Sequence, residues 1–192
     1  MTQNSLTGND AARIAKAAET VKAAHPDAIV MTNISIVRSA VNNKTAIIGP
    51  PKTDLLVLTK EGVIVIGIEY ISNKIYASVS GSAALKNWKL VEKHGGEKVS
   101  RYNGVKRTQQ RMDILREVLA SRNIDAPIYQ ITAIAGLPES KIFAQQYRDT
   151  NLIHISELAD KVTYLRERSS KKDVNTTAVE EVIEEYCRPE GL

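Results

Sequence analysis

Of the 192 residues of this chain only one, Cys187, is a cysteine. A lone cysteine excludes an internal disulfide and leaves no second thiolate for a metal site, which fits a reducing compartment. No apolar run approaches the roughly 20 residues that a membrane-spanning helix needs. The opening MTQNSLTGND lacks the charged and apolar regions of a signal peptide, so a soluble, cytoplasmic protein is expected. No G-x-x-x-x-G-K-[ST] loop, G-x-G-x-x-G fingerprint or G-x-S-x-G elbow occurs, which removes support for nucleotide hydrolysis, dinucleotide chemistry and α/β-hydrolase chemistry. The three histidines, His25, His94 and His154, form no metal-ligand spacing and read as turn or surface residues. No internal repeat is visible.

The charge that is present is uneven. The whole chain carries a formal +4, but Lys86 to Arg116 holds nine Lys/Arg against three acids, a net +6. From Glu157 to Leu192 six basic residues face nine acids, a net −3. A basic middle segment suits a phosphate backbone, because neutralising phosphates releases counterions. Lys98, Arg101, Lys106, Arg107 and Arg111 are its candidate nucleic-acid contacts. Such contacts position a strand without reading its sequence. Trp88 and Tyr102 could stack on a base, although a packing role suits each of them as well.

Periodicity orders the elements. Asp10 to Ala24 predicts a helix with Ile14, Ala18 and Val21 on one face, stopped by His25-Pro26. Strands are predicted over Ala28–Val37, Asp54–Thr59, Val63–Ile71 and Lys74–Val79. Lys60-Glu61-Gly62 and Ser72-Asn73 are hairpin turns between the last three. A further hairpin is read from Asn87–Lys93 and Glu97–Tyr102. Gly104 to Ala120 turns helical, with Met112, Leu115 and Leu119 on one face and Arg107, Gln110 and Arg111 elsewhere on its surface. Ile128–Gly136 reads as a central strand, and Leu152–Ser156 as a short one ending at a serine that can cap the next helix. A last helix is expected from a capping box at Thr177 and Glu180, with Val179, Val182, Ile183 and Tyr186 on one face. The sum is an α/β fold: a mixed sheet with an antiparallel meander plus a strand-helix-strand unit, flanked by helices.

Within VIVIGIEYISNKI, from Val63 to Ile75, five of the first six residues are β-branched. Gly67 and Glu69 interrupt that run: glycine weakens a strand, and a carboxylate there is costly without a partner. With Lys60-Glu61 as the loop, Asp54 faces Gly67; with Glu61-Gly62, it faces Glu69. Both put Asp54, Gly67 and Glu69 on one face and Ile64, Ile66 and Ile68 on the other. Opposed Cβ atoms in a sheet stand about 5 Å apart, close enough for two carboxylates to share a Mg²⁺ or Mn²⁺ ion. On this reading Gly67 leaves room beside it for a water, an ion or a backbone.

Asp54 in TDLLVL, the turn at Gly62, the strand from Val63, Trp88, Asn103 and a helix with Gln109-Gln110 together resemble the nuclease-related domain (NERD) family of the PD-(D/E)xK nuclease superfamily. The resemblance runs from about Asp10 to Arg166, ending in NLIHISELADKVTYL. It implies a restriction-endonuclease-like domain over residues 1–168, with residues 169–192 as a C-terminal helical extension that suits packing on the body or on a protein partner. In the family an acid and a lysine two apart complete the site with the earlier Asp; here Asp54 is kept, the acid is Gly67 and the lysine is Glu69. The superfamily uses its acids to hold a metal that polarises the scissile phosphate, and the lysine to orient or activate water. By the resemblance the catalytic candidates are Asp54, Glu69, Gln109 and Gln110, and the metal ligands Asp54 and Glu69. Three readings stay open: a degenerate site on a domain that binds nucleic acid or a protein; a rearranged site completed by Glu19 or Lys74; or an unrelated fold in which Glu69 pairs with a lysine. The corresponding functions are a weak or inactive nuclease-like domain acting on or binding DNA or RNA, and an interaction or scaffold domain without nucleic acid.

Overall fold

The computed structural model describes residues 8–35, 52–70, 75–79, 88–92, 99–101, 104–136, 142–144 and 151–186. Helix α1 (Gly8–Ala24) leads into β1 (Ile29–Ser35), β2 (Lys52–Thr59) and β3 (Gly62–Tyr70). Three short strands follow, β4 (Ile75–Val79), β5 (Trp88–Glu92) and β6 (Val99–Arg101), then α2 (Gly104–Ser121) and β7 (Ile128–Ala135). The chain continues through β8 (Ile142–Ala144), β9 (Leu152–His154), a 3-10 turn over Ile155–Glu157, α3 (Leu158–Arg168) and α4 (Thr176–Tyr186). Among the described residues no helix is long and apolar enough to cross a membrane.

The five-stranded sheet runs β1-β2-β3-β7-β9, antiparallel from β1 to β3 and parallel from β3 to β9. Thr59 pairs with Gly62, so Lys60-Glu61 is the two-residue loop and the first of the two registers is the one adopted. Gly62 has φ +146°, and a Cβ there would stand 2.5 Å from the Pro127 carbonyl oxygen, so the turn requires glycine twice over. Thr59 Oγ1 donates to the Gly62 carbonyl at 3.1 Å and accepts from Glu61 N at 3.2 Å, closing the loop.

Alternation along β2 and β3 sends Leu55, Val57, Ile64 and Ile66 to one face, where they meet α1 through Ile14 and Val21 and α3 through Val162. Leu56, Leu58, Val63 and Val65 point to the other, against α2 through Leu115 and Leu119 and α4 through Val179 and Ile183. The helices are thus layered on both faces, as a sheet apolar on both sides demands.

Several expectations change. β4 does not extend a meander from β3. It belongs to a second, four-stranded sheet ordered β6-β5-β4-β8, antiparallel to β5 and parallel to β8. The reason is that β3 has only two edges, and β2 and β7 take both. The β5–β6 hairpin forms, with Trp88 opposite Arg101. Ser156 does not cap α3: His154 accepts from Ser156 N at 3.3 Å, while the Glu157 carboxylate accepts from His154 N at 2.9 Å, so the cap belongs to the 3-10 turn. Helix α4 starts a residue before Thr177, with the Asn175 carboxamide oxygen accepting from Ala178 N at 3.1 Å. His25 lies at the turn after α1, as expected, its carbonyl accepting from Ala28 N at 3.0 Å, but it is buried rather than on the surface. Its Nδ1 accepts from Arg166 at 3.1 Å, leaving the Nε2 proton directed at the Ala159 carbonyl at 3.3 Å.

Candidate functional site

Asp54 stands one step beyond the last β2–β3 ladder pair, Leu55 with Ile66. Its Oδ2 accepts from the backbone N–H of Ile68 at 2.7 Å, so a side-chain carboxylate serves where a strand carbonyl would otherwise complete the ladder. In β1 the residue opposite Asp54 is Asn33, which drops out of the β1–β2 ladder and takes the left-handed conformation, φ 55°. Asparagine tolerates that region better than most residues. The Asn33 Oδ1 is buried with no hydrogen-bond partner among the described residues.

Register and alternation place Asp54, Gly67 and Glu69 on the α2 face, while Ile64 and Ile66 face away. The space beside Gly67, expected to hold a water, an ion or a backbone, is filled by side chains of α2. A Cβ on Gly67 would stand 2.3 Å from Thr108 Oγ1 and 3.2 Å from Arg111 Nη1. Thr108 is itself fully buried and held there: its hydroxyl donates to the Gly104 carbonyl at 3.0 Å and accepts from Thr132 Oγ1 at 3.1 Å. Thr132 is the residue paired with Gly67 across β3 and β7. Gly104, one turn before Thr108, lies over Glu69, and a Cβ on it would fall within 2.7 Å of the Glu69 carboxyl carbon. A small-residue face of α2, Gly104 and Thr108, therefore lets the helix descend onto β3.

Two arginines on the same helix meet the two acids. Arg111 Nη1 lies 3.5 Å from Asp54 Oδ2, and both side chains are almost entirely covered. Arg111 was expected on the helix surface; it is instead a buried counter-charge. Arg107 donates through Nη2 to Glu69 Oε1 at the rim of the cluster. The partner of Glu69 is thus an arginine, not the lysine that the third reading supposed. Burial pushes the Glu69 carboxyl above its ordinary range; Arg107 pulls against that shift and the Asp54 charge adds to it. Burial likewise holds the Arg111 guanidinium below its usual value, partly offset by Asp54.

The remaining candidates fall elsewhere. Gln109 donates to Asp113 Oδ1 at 2.9 Å along its own helix, and Gln110 is exposed. Lys106 is exposed on α2. Arg101 is placed by its pairing with Trp88, while Lys74, His94, Lys98, Tyr102 and Asn103 lie outside the described residues. Glu19 is exposed on α1, the helix that packs on the opposite face of the sheet, so it does not complete a site around Asp54. Among the described residues no three His, Cys, Asp or Glu side chains come together as a metal-binding group. Sequence reasoning missed Thr108, Thr132 and Asn33. For the first, the spacing Gly104, Thr108 with Arg107, Arg111 was a visible signal of a close helix contact flanked by cations. Comparison with protein-family models, curated proteins and solved structures found no match for the chain.

Proposed function

We propose that this chain is a nuclease-like domain of restriction-endonuclease-like type that binds DNA or RNA without cleaving it. The observation that carries the reading is the cluster under α2: Asp54 and Glu69 share a face of the β2–β3 hairpin, but each is met by an arginine, and Thr108 fills the space of the missing acid. The order of elements supports it, with an antiparallel hairpin carrying the acids and α2 preceding the parallel neighbour β7. The residues present fit a divalent cation poorly. An ion held by Asp54 and Glu69 would have to displace both guanidinium groups, and the lysine that would activate water is replaced by an acid. Binding is attributed to the basic segment, whose described part on α2 carries the exposed Lys106 beside the Arg107 and Arg111 of the cluster.

The test is fluorescence anisotropy with short labelled single-stranded DNA, duplex DNA and RNA across a salt series, with plasmid cleavage and calorimetric titration of Mg²⁺ and Mn²⁺ alongside. The expected result is affinity that falls linearly in log salt, by a slope of about 0.7 to 0.9 for each phosphate neutralised, with no cleavage. Metal binding lost in Asp54→Ala, with cleavage tracking it, would instead establish a rearranged nuclease site. Absence of salt-dependent binding would leave the domain as a protein-interaction scaffold.

A further inference from the structure

His25, buried just after α1, has both ring nitrogens committed. Nε2 faces the Ala159 carbonyl at 3.3 Å and Thr163 Oγ1 at 3.4 Å; that hydroxyl donates to Ala159 at 3.2 Å and so accepts from the ring, which places a proton on Nε2. Nδ1 lies 3.1 Å from Arg166 Nη1. A guanidinium has donors and no acceptor, so Nδ1 is the acceptor and the ring is neutral. The same Nη1 donates to Asp27 Oδ1 at 3.0 Å, while Nη2 donates to Asp27 Oδ2 at 2.6 Å and Nε to Glu61 Oε2 at 2.9 Å. Two carboxylates and one neutral imidazole thus form a clasp around a single arginine.

The clasp secures the start of the C-terminal segment. Arg166 lies in the last turn of α3, and its carbonyl accepts from Ser169 N at 3.3 Å and Lys172 Nζ at 2.6 Å. Ser169 Oγ donates to the Glu61 carbonyl at 2.6 Å and Val174 N to the Lys60 carbonyl at 2.9 Å, so the path from α3 to α4 is tied to the β2–β3 turn. Beyond it, Val179 and Ile183 of α4 are fully buried. A cleft of about 240 Å³ lies beside the clasp, lined by His25, Glu61, Thr163, Arg166, Glu167 and Lys172. The charged groups around His25 are therefore Asp27 from its own turn, Glu61 from the β2–β3 turn, Arg166 and Glu167 from α3, and Lys172 from the connection to α4. A proton on Nδ1 would turn the acceptor into an N–H aimed at a guanidinium N–H, a contact that only withdrawal of Arg166 relieves. We propose that His25 is a proton-operated release for this clasp: its protonation expels Arg166 and loosens residues 169–186 from the β2–β3 turn, uncovering the apolar face of α4.

Long-range proton–nitrogen NMR correlation of the imidazoles should show His25 as the Nε2–H tautomer at about pH 7.5; an imidazolium or the Nδ1–H tautomer there overturns the proposal. Hydrogen exchange of the amides of residues 169–186, corrected for the intrinsic rate at each pH, reads the opening itself. Protection should fall about tenfold from about pH 7.5 to about pH 5.5, because opening takes up one proton and histidine is the side chain that ordinarily changes charge in that range. Asp27, lowered by its hydrogen bond to Arg166, and Glu61, raised by burial but brought lower by Arg166, stay charged across it. His25→Gln offers Arg166 a carbonyl oxygen and Ala159 an N–H but takes up no proton, so its protection should change by less than about twofold over the same interval. Glu69 is common to both proteins, so its titration cancels. The double variant His94→Gln, His154→Gln leaves His25 as the one histidine of the chain and should keep the full response. No fall in the unmodified protein, an equal fall in His25→Gln, or loss of the response in the double variant each overturns the proposal. Should His25→Gln fail to fold, the tautomer and the double variant decide: the Nε2–H form with the response intact supports the release, and a contrary result in either overturns it.

Discussion

At position 67 a side chain and a helix compete for one volume. Thr108 Oγ1 would lie 2.3 Å from a Cβ on Gly67, whereas the Thr108 Cβ would lie 3.5 Å away, an ordinary contact. Gly67→Ala should therefore cost about 1 to 3 kcal/mol by forcing α2 outward, in the range typical of overpacked cores. Thr108→Ala alone forfeits the hydrogen bonds to Gly104 and Thr132. The double variant Gly67→Ala, Thr108→Ala should be more stable than the sum of the two losses predicts, because the clashing atom is gone. Urea denaturation of the four proteins measures that coupling; strict additivity would show that the helix moves away at no cost and that the close approach is not a constraint. The same geometry accounts for glycine at 67: with Thr108 in place, a Cβ there forces a neighbouring atom to shift. The one-face placement of Asp54, Gly67 and Glu69 was legible because strand alternation is strictly local. That a threonine from α2 fills the gap was not, because it depends on how the helix is rotated about its axis over the sheet.

Helix α4 settles onto the body rather than standing away from it. Val179 and Ile183 are fully buried against the sheet face shared with α2, and Val174 N donates to the Lys60 carbonyl at 2.9 Å, tying the preceding segment to the β2–β3 turn. Ile183→Ala should then destabilise the isolated chain by about 2 to 5 kcal/mol, the cost of a cavity in a packed core. A helix reserved for a partner would leave the unfolding midpoint of the isolated chain unchanged. The apolar stripe of α4 was plain in the sequence, but a stripe specifies that a face is covered and not by what. A similar limit governed the strands. Their existence and a turn within Lys60-Glu61-Gly62 followed from local pattern, while the choice of Lys60-Glu61 as the loop came from the pairing of Thr59 with Gly62, and the assignment of β4 to a second sheet depended on β7 arriving from later in the chain to take the free edge of β3. Caps moved by one or two residues for a related reason: Asn175, Thr176 and Thr177 all carry capping side chains, and tertiary packing chooses among them.

Across the whole molecule, carboxylates perturbed in opposite senses give stability two different dependences on pH. Hydrogen bonding to Arg166 holds Asp27 below the ordinary range; burial pushes Glu61 up, but the Arg166 hydrogen bond and charge outweigh it and leave Glu61 low. In the window between their lowered folded values and their ordinary ones the unfolded chain binds more protons, so stability is lost as pH falls through it. Glu69 has the reverse shift. Between its ordinary and its raised value the folded chain holds the proton more tightly, so stability is lost as pH rises through that window. Glu69→Gln cannot ionise at this position and should lose that falling limb while keeping the acid limb set by Asp27 and Glu61. Denaturant unfolding of both proteins from about pH 4 to about pH 8 should then show the stability of Glu69→Gln relative to the unmodified protein increasing with pH across the Glu69 window and levelling above it. A difference that stays constant over the whole range would mean that Glu69 titrates alike in both states, and that Arg107 and the end of α2 compensate its burial in full.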